Sequence, residues 1–420
     1  MKHEDPIDRA VRLHGEALAA LDEGRLDAAR SLGEEALAIF EHESGSFHPD
    51  VANVLNCLAR VHERRGDYRA AEACSRRSVD VMRRVRAEAA GADLDRLCVQ
   101  SLTALGNAVR ALGRYDDADV LLREALATAE AVLDLEDDDL VAALNALGVL
   151  YKYSGRFDEA AALYARAVRL VESAQGPDAP TLATLLHNVG GLEHARGGYA
   201  RGEPAARRSV AIRERHLGPE HPVVAADLAA LAAIVDGQGR HDEAESMYVR
   251  ALEIFERALG PDHYEIAVNL NNLAGIRQAQ GRTREAEVLY RRSLRIKEAV
   301  FGPDHPDVAL TLNNLGLLLA ETGRLDEAEA LYARALRTFQ ACLPPDHPKV
   351  KGCRENYEAL RGKPGADAPA REAKIAPTGE AKIAPTGEEK SAPTGEAKIA
   401  PTGEEKSAPT GEGKIAPYTE

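Results

Sequence analysis

A glycine returns at a fixed interval along most of this 420-residue chain. Gly24, Gly66, Gly113, Gly155, Gly197, Gly239, Gly281 and Gly323 stand 42 residues apart, apart from one 47-residue step between Gly66 and Gly113. A second marker keeps the same step at His221, His263, His305 and His347, with Ala179 in the equivalent slot upstream. A period of this size signals a solenoid, in which each unit buries its apolar face only against its neighbours. Such a chain offers a binding surface before it offers an active site.

Composition agrees with that reading. The chain exceeds the length at which a single core stops growing, and the repeat resolves the choice between several domains and an array. Hydrophobic residues make up 45% but aromatics only 4%, with no Trp, so Ala and Leu do most of the packing. That suits closely approaching helices, since Ala combines the best helix propensity with little bulk. Net charge is −15; residues 363–420 hold ten acidic and eight basic side chains, which leaves −13 on residues 1–362. An acidic array disfavours nucleic acid and anionic membranes, which both need a basic footprint.

The five cysteines, Cys57, Cys74, Cys98, Cys342 and Cys353, are odd in number and form no C-x-x-C, so reduced, packed thiols are expected. The start MKHEDPIDRA has no basic segment followed by an apolar one, and the apolar stretch Val308–Ala320 is interrupted by Asn313 and Asn314. No signal peptide and no membrane span are expected, and the expected location is cytoplasmic.

The clearest unit runs from Gly302 to Phe339. Val308, Leu312, Leu315 and Leu319 lie on one helical face. Gly323 breaks the run, and Asp326 and Glu327 open a second helix where the macrodipole favours acids. Ala328, Leu331, Tyr332, Ala335, Leu336 and Phe339 form its inner face. In the linking GPDHP, Gly302 can take positive φ, Pro306 fits the first helical position and His305 is a boundary residue.

These residues resemble a known family. Leu315-Gly316…Leu319 followed by Ala328…Tyr332…Ala335 looks like the tetratricopeptide repeat. The strings NNLA, GRxxEAExLYxRAL and GPDHP are similar to its kinesin light chain-like, 42-residue variety, and the Arg/Ala-rich usage looks bacterial. The resemblance implies an all-α, right-handed αα-solenoid of about eight helix-turn-helix repeats with a capping helix. Its expected extent is residues 6–362 after a disordered start at 1–5. Units are expected near 6–45, 48–92, 93–136, 137–178, 179–220, 221–262, 263–304 and 305–346, and the cap near 347–362.

Candidate chemistry is sparse. The histidines before each unit (His48, His221, His263, His305, His347) lie whole repeats apart and cannot share one metal ion, since neighbouring helices are roughly 8–10 Å apart. They read as loop structure. No HExxH, G-x-S-x-G or phosphate-binding loop occurs, so no enzyme, metal or cofactor is expected. In tetratricopeptide arrays the first helices line the concave surface, and asparagines in this register resemble residues that clamp a ligand's backbone. The matching positions hold Asn56, Asn145, Asn188, Asn271, Asn272, Asn313 and Asn314. An amide can donate and accept at once, as an extended peptide requires. Bonding to neighbouring helices is the alternative role, and the row is broken by Thr103, Ala104, Ala229 and Ala230. One turn further along, Arg60, Arg64, Arg110 and Lys152 could contact an anion or form a solvated face.

From Ala373 the chain repeats an octapeptide, AKIAPTGE or a variant, six times. Pro and Gly at every eighth residue deny it helix and core, so 363–420 reads as a disordered tail, a spacer or a multivalent ligand. The expected function is a non-catalytic scaffold or adaptor that holds a peptide segment of a protein partner. The alternative is a regulatory module whose groove is occupied, for instance by its own tail, until a partner displaces the occupant.

Overall fold

The structure, a computed structural model, describes residues 4–89, 91–342, 345 and 348–362. His347 and the octapeptide tail lie outside them. Among the described residues there are seventeen α-helices and no strand. The first eight are α1 (Pro6–Asp22), α2 (Leu26–Glu43), α3 (Pro49–Arg64), α4 (Tyr68–Glu88), α5 (Ala92–Ala111), α6 (Tyr115–Val132), α7 (Asp138–Tyr153) and α8 (Phe157–Gln175). Next come α9 (Pro180–Ala195), α10 (Tyr199–Leu217), α11 (Pro222–Asp236) and α12 (His241–Leu259). The chain continues through α13 (Tyr264–Ala279), α14 (Thr283–Phe301), α15 (Pro306–Glu321), α16 (Leu325–Cys342) and α17 (Pro348–Arg361). They form eight consecutive pairs with α17 packed on the last. The extra residues near Gly91 are absorbed by helix, as α4 and α5 run to 21 and 20 residues.

Each pair is closed by its sequence. Gly323 sits at φ 81° between α15 and α16, a left-handed turn that costs an L-residue free energy. Gly302 stops α14 at φ 80°, and Pro306 begins α15 where no donor is lost. Within the pair, Gly316 lets the Tyr332 ring lie so close that a Cβ would stand 3.1 Å from it. Val308, Leu312, Leu315, Leu319, Ala328, Tyr332, Ala335 and Phe339 are all buried.

Helices of neighbouring pairs then stack unequally. Odd-numbered helices pack closely on the next odd-numbered one as well as on both flanking even ones, whereas neighbouring even-numbered helices keep their backbones apart among the described residues and are joined by side-chain ion pairs such as Arg166–Glu130 and Arg208–Glu172. The odd helices are therefore the crowded inner layer and the even helices the splayed outer one. The arginine that follows most of the turn glycines stitches units together. Arg114, Arg156, Arg240, Arg282 and Arg324 each bond an acid three residues on and another in the preceding unit: Glu72, Asp119, Glu203, Glu245 and Glu287 respectively. Unit two has Asp67 and unit five Gly198 in that slot instead.

Ala328→Leu is expected to cost about 1–3 kcal/mol by overpacking. Glu329→Leu, at a site whose side chain is 46% exposed and pairs with Arg361 at 3.4 Å, should stay within about 0.5 kcal/mol. Equal effects in denaturant melts would mean that the α16 face is misassigned.

Candidate functional site

The inner layer carries the asparagine row. Asn188 donates to the Asn145 Oδ1 at 2.7 Å, and Asn356 of α17 donates to the Asn313 Oδ1 at 3.1 Å. Both pairs join the second slot of one unit to the first slot of the unit before, so the row is a ladder of amides. The equivalent pair, Asn271 and Asn314, is not bonded. The Asn271 Oδ1 and the Asn314 Nδ2 are both buried without a partner, while Asn313 reaches the Asn314 Oδ1 at 3.4 Å. Asn271, Asn313 and Asn314 are each 1% exposed. Asn145, Asn188 and Asn272 are half-buried, and Asn272 bonds the buried Tyr248 hydroxyl. Near the other end, Asn56 donates to the Ser101 hydroxyl at 3.0 Å.

The basic residues gather in units two to four. Arg64 donates to the Leu21 carbonyl at 2.6 Å, and Arg60 lies 3.9 Å from Asp22. Arg110 and Lys152 lie 5.3 and 4.7 Å from the centre of the Tyr153 ring, and the Arg110 Nε finds no hydrogen-bond partner. Burial pushes the Glu63 carboxyl up, against the pull of Arg110, Arg60 and Arg64 around it. Burial and the Arg60 charge also lower the Arg64 guanidinium. Three arginines against two acids, Glu63 and Asp22, leave a local excess of positive charge in an acidic protein.

Sequence reading missed one constellation. Asp227 of α11 is 2% exposed and meets His187 Nδ1 at 2.8 Å, Ser209 Oγ at 2.5 Å and Arg213 Nε at 3.3 Å. Arg213 also donates to the Thr184 hydroxyl at 2.7 Å. Burial alone would raise the Asp227 carboxyl, but His187, Arg213 and Ser209 together hold it below its usual value. The signal was available: Arg213 occupies the slot held by Phe255 and Phe339 in other units, and Asp227 the slot of Ala143 and Leu185.

The loop histidines do more than mark a boundary. The Nδ1 of His48, His221, His263 and His305 accepts the backbone N–H two residues on, capping α3, α11, α13 and α15. Only an unprotonated Nδ1 can accept.

The sequence matches the tetratricopeptide repeat family over residues 9–84, 95–173, 181–257, 237–299 and 265–341. The chain belongs to that family. Together with the NNLA and GPDHP strings, its units are of the kinesin light chain-like type. BtubC (BKLC) from P. vanneervenii is 25% identical, covering 55% of this chain and 91% of that one, with a TM-score of 0.48. A Podosopora anserina putative kinesin light chain with nearly identical TPR-like repeats is 21% identical over 50% of this chain and 98% of that one, at TM-score 0.40. A Rap protein complexed with competence and sporulation factor shares the fold at TM-score 0.54 with 12% identity, covering 84% and 97% of the two chains. No curated relative matches the sequence. A tetratricopeptide array of this kind is a protein-interaction scaffold. Among the described residues, no helix is long and apolar enough to cross a membrane.

Acid should loosen the caps. Burial, aided at His221 by the Arg213 charge, lowers the folded pKa of His221 and His263 below the ordinary value. Their contribution is complete above about pH 6.5 and is lost as pH falls through the lowered folded value. In thermal melts against pH, replacing both by Asn, a cap that does not titrate, should flatten this acid limb. An unchanged limb would show that the caps do not govern it.

Proposed function

We propose that the inner layer binds an extended segment of a partner protein, with the amide ladder against its backbone and with no catalytic step. One observation carries this reading: the open rung between Asn271 and Asn314, an acceptor and a donor buried without partners in a row whose next rung, Asn313–Asn356, is closed, as is Asn145–Asn188 further along. An unmet buried polar group costs about 1–3 kcal/mol, so two retained together oppose stability. A peptide unit presents one N–H and one C=O and would satisfy both once the side chains swing inward. Arg60, Arg64, Arg110 and Lys152 would then meet an acidic part of the same segment. The Rap protein with a TM-score above 0.5 is described in complex with competence and sporulation factor, which agrees with ligand capture by this fold.

Peptides selected from a random library on the full chain provide the test. Asn271→Ala should leave the melting temperature unchanged or higher, because it removes an unpaired group, yet weaken capture of the selected peptides. Asn313→Ala breaks bonds to Asn314 and Asn356 and should cost about 1–3 kcal/mol. Arg295→Ala, exposed on α14, is the control that leaves capture intact. Capture by the Asn271 variant equal to that of the control would sink the proposal.

A further inference from the structure

His187 occupies the first slot of the amide row, in register with Asn145, Asn271 and Asn313. It is the one member of that row tied to a buried charge. Its side chain is 19% exposed, so the ring is rooted in the core but still reaches the inner surface. Asp227 holds Nδ1, which leaves Nε2 as the free end of the imidazole. The carboxylate is already served at its other oxygen by Ser209 and Arg213, so the imidazole is not needed to neutralise it. Removing a carboxylate from water is costly, and Asp227 stands where other units carry an uncharged residue, Ala143, Leu185, Asn269 or Thr311. What it achieves is a fixed ring orientation. Beside the ring, the next unit places Ala229 and Ala230 in the row, and Gly191 follows one turn along α9, so the inner surface there is paved with small residues.

We propose that His187 is the contact for an acidic side chain of the bound segment, a glutamate or aspartate seated over Ala229 and Ala230 with its carboxylate on the imidazole Nε2. This rests on the peptide-binding reading above and adds the ligand's chemistry at one position. The proton balance is simple. Nδ1–H stays on Asp227, the ring takes up a proton from solvent at Nε2, and that N–H donates to the ligand carboxylate. Of the helices packed against α9, α11 presents Asp227 to the ring and α10 presents Arg213 through that carboxylate. α7 presents Asn145, with Lys152 two turns on, and α9 itself adds His194. On α8, Arg166 and Glu172 are bound to Glu130 and Arg208. Binding therefore couples to protonation of one ring, and affinity falls as pH rises.

The test uses the full chain labelled at histidine and backbone nitrogen, with two capped pentapeptides, Ac-AAEAA-NH2 and Ac-AAQAA-NH2, as millimolar probes. The His187 ring signal, assigned by its loss in His187→Gln, should shift with the glutamate peptide. The glutamate peptide should bind on the order of tenfold more tightly at about pH 6 than at about pH 8, with the glutamine peptide flat. His187→Gln, checked for an unchanged melting temperature, should remove the pH dependence. Asp227→Asn, read at an unchanged melting temperature, should weaken it. Equal binding of both peptides, or a pH dependence that survives in His187→Gln, overturns the assignment while leaving peptide binding intact. No backbone shift on the inner layer with either probe overturns both readings.

Discussion

Three of the helix pairs are held shut by a glycine on the first helix facing a large residue on the second, and the array depends on that closeness. Gly106 lies against Leu122, Gly148 against Tyr164 and Gly316 against Tyr332, at separations where an added Cβ would stand 2.5–3.1 Å from the side chain. The approach is tight enough that a pair behaves as one plate with two apolar sides. Neither side can be covered within the pair, so both must be covered by the next plates. This is why buried residues form overlapping groups that span neighbouring units and no central core.

Plates that differ little in apolar shape could stack in the wrong order, and polar groups at some interfaces oppose this. Ser78 meets Ser101 at 2.8 Å, Arg213 meets Asp227, and Lys297 donates to Thr311 at 3.0 Å. Each pair joins one unit to the next. Lys297 is 2% exposed, and burial lowers its ammonium to about 8. Such a group is tolerable against Thr311 and the Asp307 carbonyl and costly against an apolar neighbour. The arginines after the turn glycines add exposed rungs along the same direction, individually weak but arranged as a network.

Much of this was legible because the period exposes it. A 42-residue step, a turn glycine and an apolar face at helical spacing are properties of a single line of text. The asparagine row was legible as a row. Its bonding was not, because Asn188 reaches Asn145 and Asn356 reaches Asn313 across a spacing that has meaning only once the units are stacked. The histidines were placed at the boundary, but their capping role depends on ring orientation, which no pattern records. The Asp227 network escaped for the opposite reason. It shows as a departure from the repeat at Arg213 and Asp227, and attention to what recurs passes over what does not.

The strictly neighbour-to-neighbour bonding also makes length a free variable. No contact in the stack counts the units, so duplication or loss of a whole unit changes the reach of the array without changing its kind. The polar pairs decide where such an edit can fall. A cut that parts Arg213 from Asp227 strands a charge in an apolar seam, whereas removing a unit whose two faces carry no such pair brings matching surfaces together. The chain is a ruler that can be lengthened or shortened only at certain marks.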